Sequence, residues 1–289
     1  MKIQSLSIAV PAGCGNQCKF CVSHMHRDNY TNQIENNSRF FDLYERDYID
    51  RMAYARDNGC NCVLLTGDGE PLLNRNFLKH FSHWNQMLAK PFRQIELQTS
   101  GQTLDDEYLR FLRNTVRVSV ISLSVSALDD DYNELYNQPK SQAYHVEIDK
   151  VCSDIKRYDF ALRLSMNLTF YFDGLGVDKI FERAAALGAN QLTFRVLYEN
   201  GGDTDESRFV REYSCSKRKV GGIRDYIISN GRPLNRLPYG AVKYSVNGIS
   251  CVIDGDCMST EVSEDLKYLI LRPDCKLYSH WDDVGSLVF

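Results

Sequence analysis

The chain of 289 residues carries 34 Lys and Arg against 38 Asp and Glu, and this net charge of −4 argues against a protein that grips nucleic acid regardless of sequence, which needs an excess of cations. Hydrophobic residues make up 43%, ordinary for a globular chain able to bury a core, and no apolar run approaches the roughly 20 residues that span a bilayer. Ten cysteines without a recognisable signal sequence suggest a cytoplasmic protein whose thiols serve metal or redox chemistry rather than disulfides.

The first segment, IQSLSIAV (3–10), alternates as a strand does, and Pro11 ends it. Next comes 12-AGCGNQCKFCVSHMH-26, in which Cys14, Cys18 and Cys21 are spaced C-x3-C-x2-C and His24 and His26 follow. The polar stretch 22–42 is too long for a simple connector and reads as a functional loop. YERDYIDRMAYARDNG has Tyr48, Met52 and Ala55 at helical spacing, with Gly59 as the stop. NCVLLTG (61–67) then forms a short strand that breaks into the turn GDGEP.

The alternation continues with a helix around 76–89, the strand RQIELQTS (93–100), a helix near 105–114 and the strand VSVISLSVS (118–126). Helices over 130–137 and 146–157 precede ALRLSMNLTF (161–170), and a helix near 176–187 precedes QLTFRVLY (191–198). Six strands separated by helices imply parallel pairing and right-handed crossovers. Several of the strands read as nearly continuous apolar runs, the pattern of a sheet buried on both faces. The fold expected is α/β, a partial (β/α)6 TIM-type barrel over 1–200, followed by a small β-rich extension over 201–289. An open doubly wound sheet fits less well, because no glycine fingerprint follows the first strand. The extension contains a helix, GIRDYIISNG, and the strand-like segments AVKYSVNG, ISCVID, YLILRP and KLYSHW.

Two chemistries suit the three cysteines. Zinc could take Cys14, Cys18, Cys21 and His24 in a closed structural tetrahedron, giving a non-catalytic binding protein. Alternatively three thiolates could hold three irons of a [4Fe–4S] cluster and leave the fourth iron open. The cysteines follow the first strand of a parallel array, at the end where such folds carry their chemistry.

Cys14-x3-Cys18-x-Phe20-Cys21 after a first strand resembles the C-x3-C-x-aromatic-C signature of radical S-adenosylmethionine (radical SAM) enzymes. The turn 64-LLTGDGEPLL-73 resembles that family's G-G-E-P turn with one extra residue, and 122-SLSVSALDDDYNELYN-137 is similar to its fourth strand and the turn that follows. The resemblance covers about residues 3–198. It implies a [4Fe–4S] cluster on Cys14, Cys18 and Cys21, with S-adenosylmethionine on the open iron and split by one electron to a 5′-deoxyadenosyl radical that takes hydrogen from a substrate. Phe20 would lie against the adenine, and Gly67, Asp68, Gly69 and Glu70 would meet the methionine ammonium. Ser124 would serve the methionine end and Ser126 the ribose. Asn167 and Arg195 would add polar contacts from the fifth and sixth strands, Arg195 to the methionine carboxylate. An electron donor such as flavodoxin or ferredoxin is implied, with a peptide, nucleotide or other small molecule as substrate.

The tail 270-ILRPDCKLYSHWDDVGSL-287 is similar to the extensions of peptide-modifying relatives, some of which bind an auxiliary cluster. Here Cys251, Cys257 and Cys275 would be the ligands, with Cys215 upstream. Yet Ser279 and His280 stand where a ligating Cys is expected. A metal-free cap over the barrel mouth is the simpler expectation, and Cys60, Cys62 and Cys152 read as small core residues.

Overall fold

A computed structural model describes residues 3–26, 40–237, 241–254, 266–281 and 283–289. Most of the polar stretch 22–42 and Cys257 lie outside the described residues. Six strands form where the alternation predicts them: β1 (Ile3–Ala9), β2 (Cys62–Thr66), β3 (Gln94–Thr99), β4 (Val120–Val125), β5 (Ala161–Asn167) and β6 (Gln191–Arg195). The helices among them are α1 (Val22–Met25), α2 (Glu45–Asp57), α3 (Arg75–Met87), α4 (Asp106–Phe111), α5 (Asp130–Asn137), α6 (Ile148–Arg157) and α7 (Val177–Ala186).

Side-chain caps fix where several helices begin. Asn74, Asp105 and Asp129 accept the amide hydrogens of Phe77, Tyr108 and Tyr132, each satisfying a donor the helix leaves open. The inward face of α3 packs Phe77 and Trp84 against Tyr48 of α2, with Tyr48 and Trp84 stacked 4.4 Å apart. A fully buried aromatic of this kind contributes about 2 kcal/mol of transfer free energy, so this cluster anchors both helices.

After residue 199 come α8 (Asp205–Tyr213), α9 (Lys217–Asn230), β7 (Arg232–Arg236), β8 (Val242–Val246), β9 (Ile249–Asp254), β10 (Leu266–Leu271) and β11 (Leu277–Tyr278). Among the described residues all strands join one eleven-stranded sheet, ordered β11-β10-β1-β2-β3-β4-β5-β6-β9-β8-β7. The six-unit barrel is therefore present and longer than expected. β10 runs parallel to β1, with Ser5 opposite Tyr268, and β9 runs parallel to β6, with Leu192 opposite Cys251. Residues 201–289 thus lengthen the barrel sheet at both edges, and β8, β7 and β11 continue it with antiparallel pairs.

The expectation of strands apolar on both faces needs correction. Leu6, Ile8, Val63, Leu65, Ile95, Leu97, Leu162 and Leu164 point outward and are fully buried in the main core. The residues between them face the barrel interior and, Leu64 apart, are mostly polar, among them Ser5, Ser7, Glu96, Gln98, Arg163, Gln191 and Thr193. A barrel packed with aliphatic layers would be filled. This interior instead holds a cavity of about 520 Å³.

Candidate functional site

The cysteine loop leaves β1 and is tied down by backbone bonds to the end of α5. Gln17 N donates to Asn137 O (3.1 Å), Lys19 N to Tyr136 O (3.2 Å) and Lys140 N to Gly15 O (2.7 Å). Lys140 Nζ also reaches Cys14 O at 2.9 Å. The side-chain amide of Asn137 sits at the centre of this junction. Its Oδ1 accepts from Ser126 Oγ (2.7 Å) and lies 3.8 Å from Cys18 Sγ, and its Nδ2 donates to Asn133 Oδ1 (3.1 Å).

The GDGE turn after β2 presses on the other side of the loop. Glu70 N donates to Gly13 O at 2.8 Å. A Cβ at Gly69 would fall 2.0 Å from Ala12 O, and one at Gly67 would fall 2.8 Å from Val10 O, so close backbone approach explains both glycines. The Glu70 carboxylate, 3% exposed, is saturated: Oε1 accepts from Thr99 Oγ1 (2.6 Å) and Leu72 N (3.2 Å), and Oε2 from Ser100 N (2.8 Å) and Ser100 Oγ (2.7 Å). Burial holds its carboxyl above the usual carboxylate range despite these four bonds. Burial likewise raises Asp68, against the opposing pull of nearby Arg272 and of Ser23, whose hydroxyl lies 3.4 Å from Asp68 Oδ1.

Cys14, Cys18, Phe20, Cys21, Gly67, Asp68, Gly69, Glu70, Ser124, Asn167 and Arg195 all line one cavity of about 270 Å³. Ser126 does not line it; it is fully buried and acts on the site through Asn137. The register explains this, since β4 ends at Val125 and the chain turns before a second inward serine can follow Ser124. Phe20 packs beside Met25, Leu197, Val210 and Tyr198. Arg195 Nε donates to Ser165 Oγ (2.8 Å), and among the described residues its guanidinium has no carboxylate partner.

The three thiols are free and half-buried. Burial pushes Cys14 up to about 11 and Cys18 well above its ordinary value, and the neighbouring sulfurs add to the rise at Cys18; burial also raises Cys21. Deprotonated together in this cavity, the sulfurs would repel one another, and a cationic partner would relieve that repulsion. His24 lines the same cavity as the three cysteines, and its Nδ1 lies 3.2 Å from Glu206 Oε1 on α8. Among the described residues no three His, Cys, Asp or Glu side chains converge as ligands of a single metal ion. Three sulfurs that each bond a different iron fit a cluster better than a tetrahedral zinc, whose four ligands share one centre.

Among the described residues the other cysteines are dispersed. Cys251 lies within β9, Cys275 in the turn after β10 beside Tyr48, and Cys215 N donates to Leu168 O at 2.8 Å. All three are buried, and burial raises them to about 11, 12 and 12 respectively. They read as core residues, as do Cys60 and Cys152. Cys62 does not. It lines the barrel interior, where burial and the nearby Glu96 carboxylate push its thiol up to about 12.

Sequence reasoning passed over Asn16, Thr99, Ser100, Asn137 and Ser165, which line the cavity or hold residues that do. Thr99 and Ser100 carried a usable signal: they are polar residues where a parallel strand ends, the position at which such barrels place functional groups.

A family model described as the radical SAM superfamily matches residues 8–187. No curated protein matches the chain. Among solved structures, the fold is similar to that of Streptococcus suis SuiB bound to S-adenosylmethionine, at 14% identity and a TM-score of 0.59, covering 96% of this chain and 60% of that one. SuiB bound to its precursor peptide SuiA also scores 0.59 at 14% identity, with 96% and 59% covered. AnSMEcpe with bound AdoMet scores 0.55 at 17% identity, with 78% and 61% covered. HemN from Escherichia coli, coproporphyrinogen III oxidase, scores 0.53 at 14% identity, with 80% and 54% covered. The chain spans about three-fifths of the length of the SuiB chain.

Proposed function

As the chain belongs to the radical SAM superfamily, whose members use a [4Fe–4S] cluster and S-adenosylmethionine, we propose that it is an enzyme that splits S-adenosylmethionine reductively and uses the resulting radical to take hydrogen from a substrate held in the barrel. One observation carries this reading: three free, half-buried cysteines line a cavity that shares walls with a larger polar lumen. The two cavities share Thr66, Gly67, Asp68, Gln98 and Arg195 as walls.

Cys14, Cys18 and Cys21 would hold the cluster. When bound, the cluster would supply a site for the methionine moiety and the electron that breaks the sulfur–C5′ bond, giving methionine and a 5′-deoxyadenosyl radical. The chain's own residues bind and aim. Arg195 offers the methionine carboxylate its guanidinium donors. Asp68 and the backbone carbonyls of the 67–69 turn receive the ammonium, while Glu70 fixes that turn against β3. Phe20 supplies an apolar face for the adenine, and Ser124 and Asn167 supply polar groups along its wall. Ser126 and Asn137 hold the cysteine loop in place. Walls contributed by residues 201–289, including Lys243, Ser250 and Trp281, keep the lumen from opening broadly to water.

A peptide is the favoured substrate, supported by the structural likeness to SuiB, which has been seen with a precursor peptide. The electron donor is a flavodoxin or ferredoxin. Protein purified and reconstituted with iron and sulfide without oxygen should show a broad visible absorption that dithionite bleaches, and should release 5′-deoxyadenosine. Cys18→Ala should abolish this release while the fold persists. Zinc without sulfide in the purified protein, or release that survives Cys18→Ala, would overturn the proposal.

A further inference from the structure

The end of β3 holds both halves of the cysteine site. Thr99 and Ser100 carry the Glu70 carboxylate, and with it the GDGE turn. Gln102 follows and packs against the cysteine loop itself. Its side chain is fully buried, and neither its Oε1 nor its Nε2 has a hydrogen-bond partner among the described residues. Turning the amide over exchanges its two ends and satisfies neither. Buried polar groups are paired as a rule, because an unpaired one forfeits its bonds to water and gains nothing in return.

The sequence makes room for this amide. A Cβ at Gly15, the residue after Cys14, would fall 2.3 Å from Gln102 Oε1 and 2.5 Å from the ring of Tyr144, so a larger residue would expel one or the other. Asn16 lines the cysteine cavity, is 5% exposed and also leaves its Oδ1 unpaired among the described residues, while its backbone N lies 3.4 Å from Cys14 Sγ. Both ends of the Gln102 amide and the Asn16 oxygen thus meet the loop immediately after Cys14 without partners. Packing alone does not ask for an amide here. Leu or Met would fill similar space and strand nothing.

A cluster changes what the loop requires of its surroundings. Thiolates and sulfides bring negative charge into a buried place, and N–H donors near such sulfurs offset it. We propose that Gln102 is a positioning residue for the cluster, its amide unpaired in the chain alone and engaged by the loop at Cys14 and Gly15 once the cluster is bound. This rests on the enzyme reading for the presence of the cluster. A donor in that place favours the more negative, reduced cluster, so it raises the reduction potential.

The test compares the full chain with and without its reconstituted cluster, as wild type and as Gln102→Met, which keeps the length and loses the amide. Without the cluster, the variant should melt at or above the wild-type temperature, since no hydrogen bond is lost. The rise in melting temperature on loading should shrink by about 5 °C. A ferrous chelator should strip the variant's iron about tenfold faster. The midpoint of an anaerobic redox titration should fall by about 59 mV, the one-electron equivalent of tenfold. Gly15→Ala, whose methyl group displaces the amide, should repeat the fall in potential, and adding it to Gln102→Met should lower the potential no further. Plain packing would move the melts of both forms alike and leave the potential in place. The inference fails if Gln102→Met loads, retains iron and titrates as wild type does. It also fails if that variant melts lower without the cluster, because the amide would then be bonded beforehand, to a trapped water for instance. Wild-type protein that takes up no cluster would sink the enzyme reading and this inference together, whereas a loaded wild type with an indifferent Gln102 would sink this inference alone.

Discussion

Replacing Glu70 by Ala tests how the site is held together. The carboxylate is 3% exposed and accepts four hydrogen bonds, two from backbone amides that cannot turn elsewhere, Leu72 N and Ser100 N. The hydroxyls of Thr99 and Ser100 can rotate to new partners or to water entering the gap. Each stranded buried amide costs about 2 kcal/mol, so the variant should lose about 4 kcal/mol of stability. At roughly 3 °C per kcal/mol for a chain of this size, the melting temperature should fall about 12 °C. Affinity for S-adenosylmethionine should fall as well, because the turn proposed to receive the ammonium loses its anchor to β3. Glu70→Gln keeps one acceptor and should fall between wild type and Ala. Thermal melts read alongside ligand titration under anaerobic conditions decide the matter. A variant that melts within ~2 °C of wild type yet loses the ligand would show that the carboxylate contacts the ligand directly, and the clamp reasoning would be wrong.

Gly69→Ala sets a methyl group against Ala12 O and should lower iron and sulfide content per chain; full content would mean that the loop yields freely. Ser126→Ala removes one buried bond to Asn137 and should cost about 1 kcal/mol with little change in ligand affinity, whereas a hundredfold loss at unchanged melting temperature would put the hydroxyl on the ligand. Cys62, whose thiol is raised from 9.0 to about 12, should have about a thousandth of the thiolate of an ordinary cysteine, since three units are three decades. Its iodoacetamide labelling in the native protein should therefore rise about tenfold per pH unit through the alkaline range, and a rate that levels off near pH 9 would refute that.

The six central strands and their helices were legible because each is a local periodicity bounded by its own turn. The cysteine loop and the GDGEP turn were legible because their spacing is itself the signal. What escaped depends on partners far away in the chain. Nothing local in YLILRP or ISCVID says that one segment will pair with β1 and the other with β6. β7 went unread because RPLNR is polar and exposed along its length. Ser126 was expected at the ligand because two residues along a strand return to the same face, but the strand ended one residue too early. The role of Glu70 was half legible: its acidity suggested a cation, while its true company, Thr99 and Ser100, sits about thirty positions downstream. The polar lumen was misread for a different reason. Serines and glutamines interspersed with leucines look like a strand buried throughout until one asks which side each residue faces.

The position of β9 and β10 bears on how far the protein can be shortened. A chain ending near residue 200, where the helix-and-strand alternation stops, would retain every cysteine of the loop and the whole region matched by the family model. It would also leave β1 and β6 with bare rows of amide and carbonyl groups, which would seek pairing in other molecules. Such a fragment should self-associate, so trimming to the matched region is no route to a minimal soluble core.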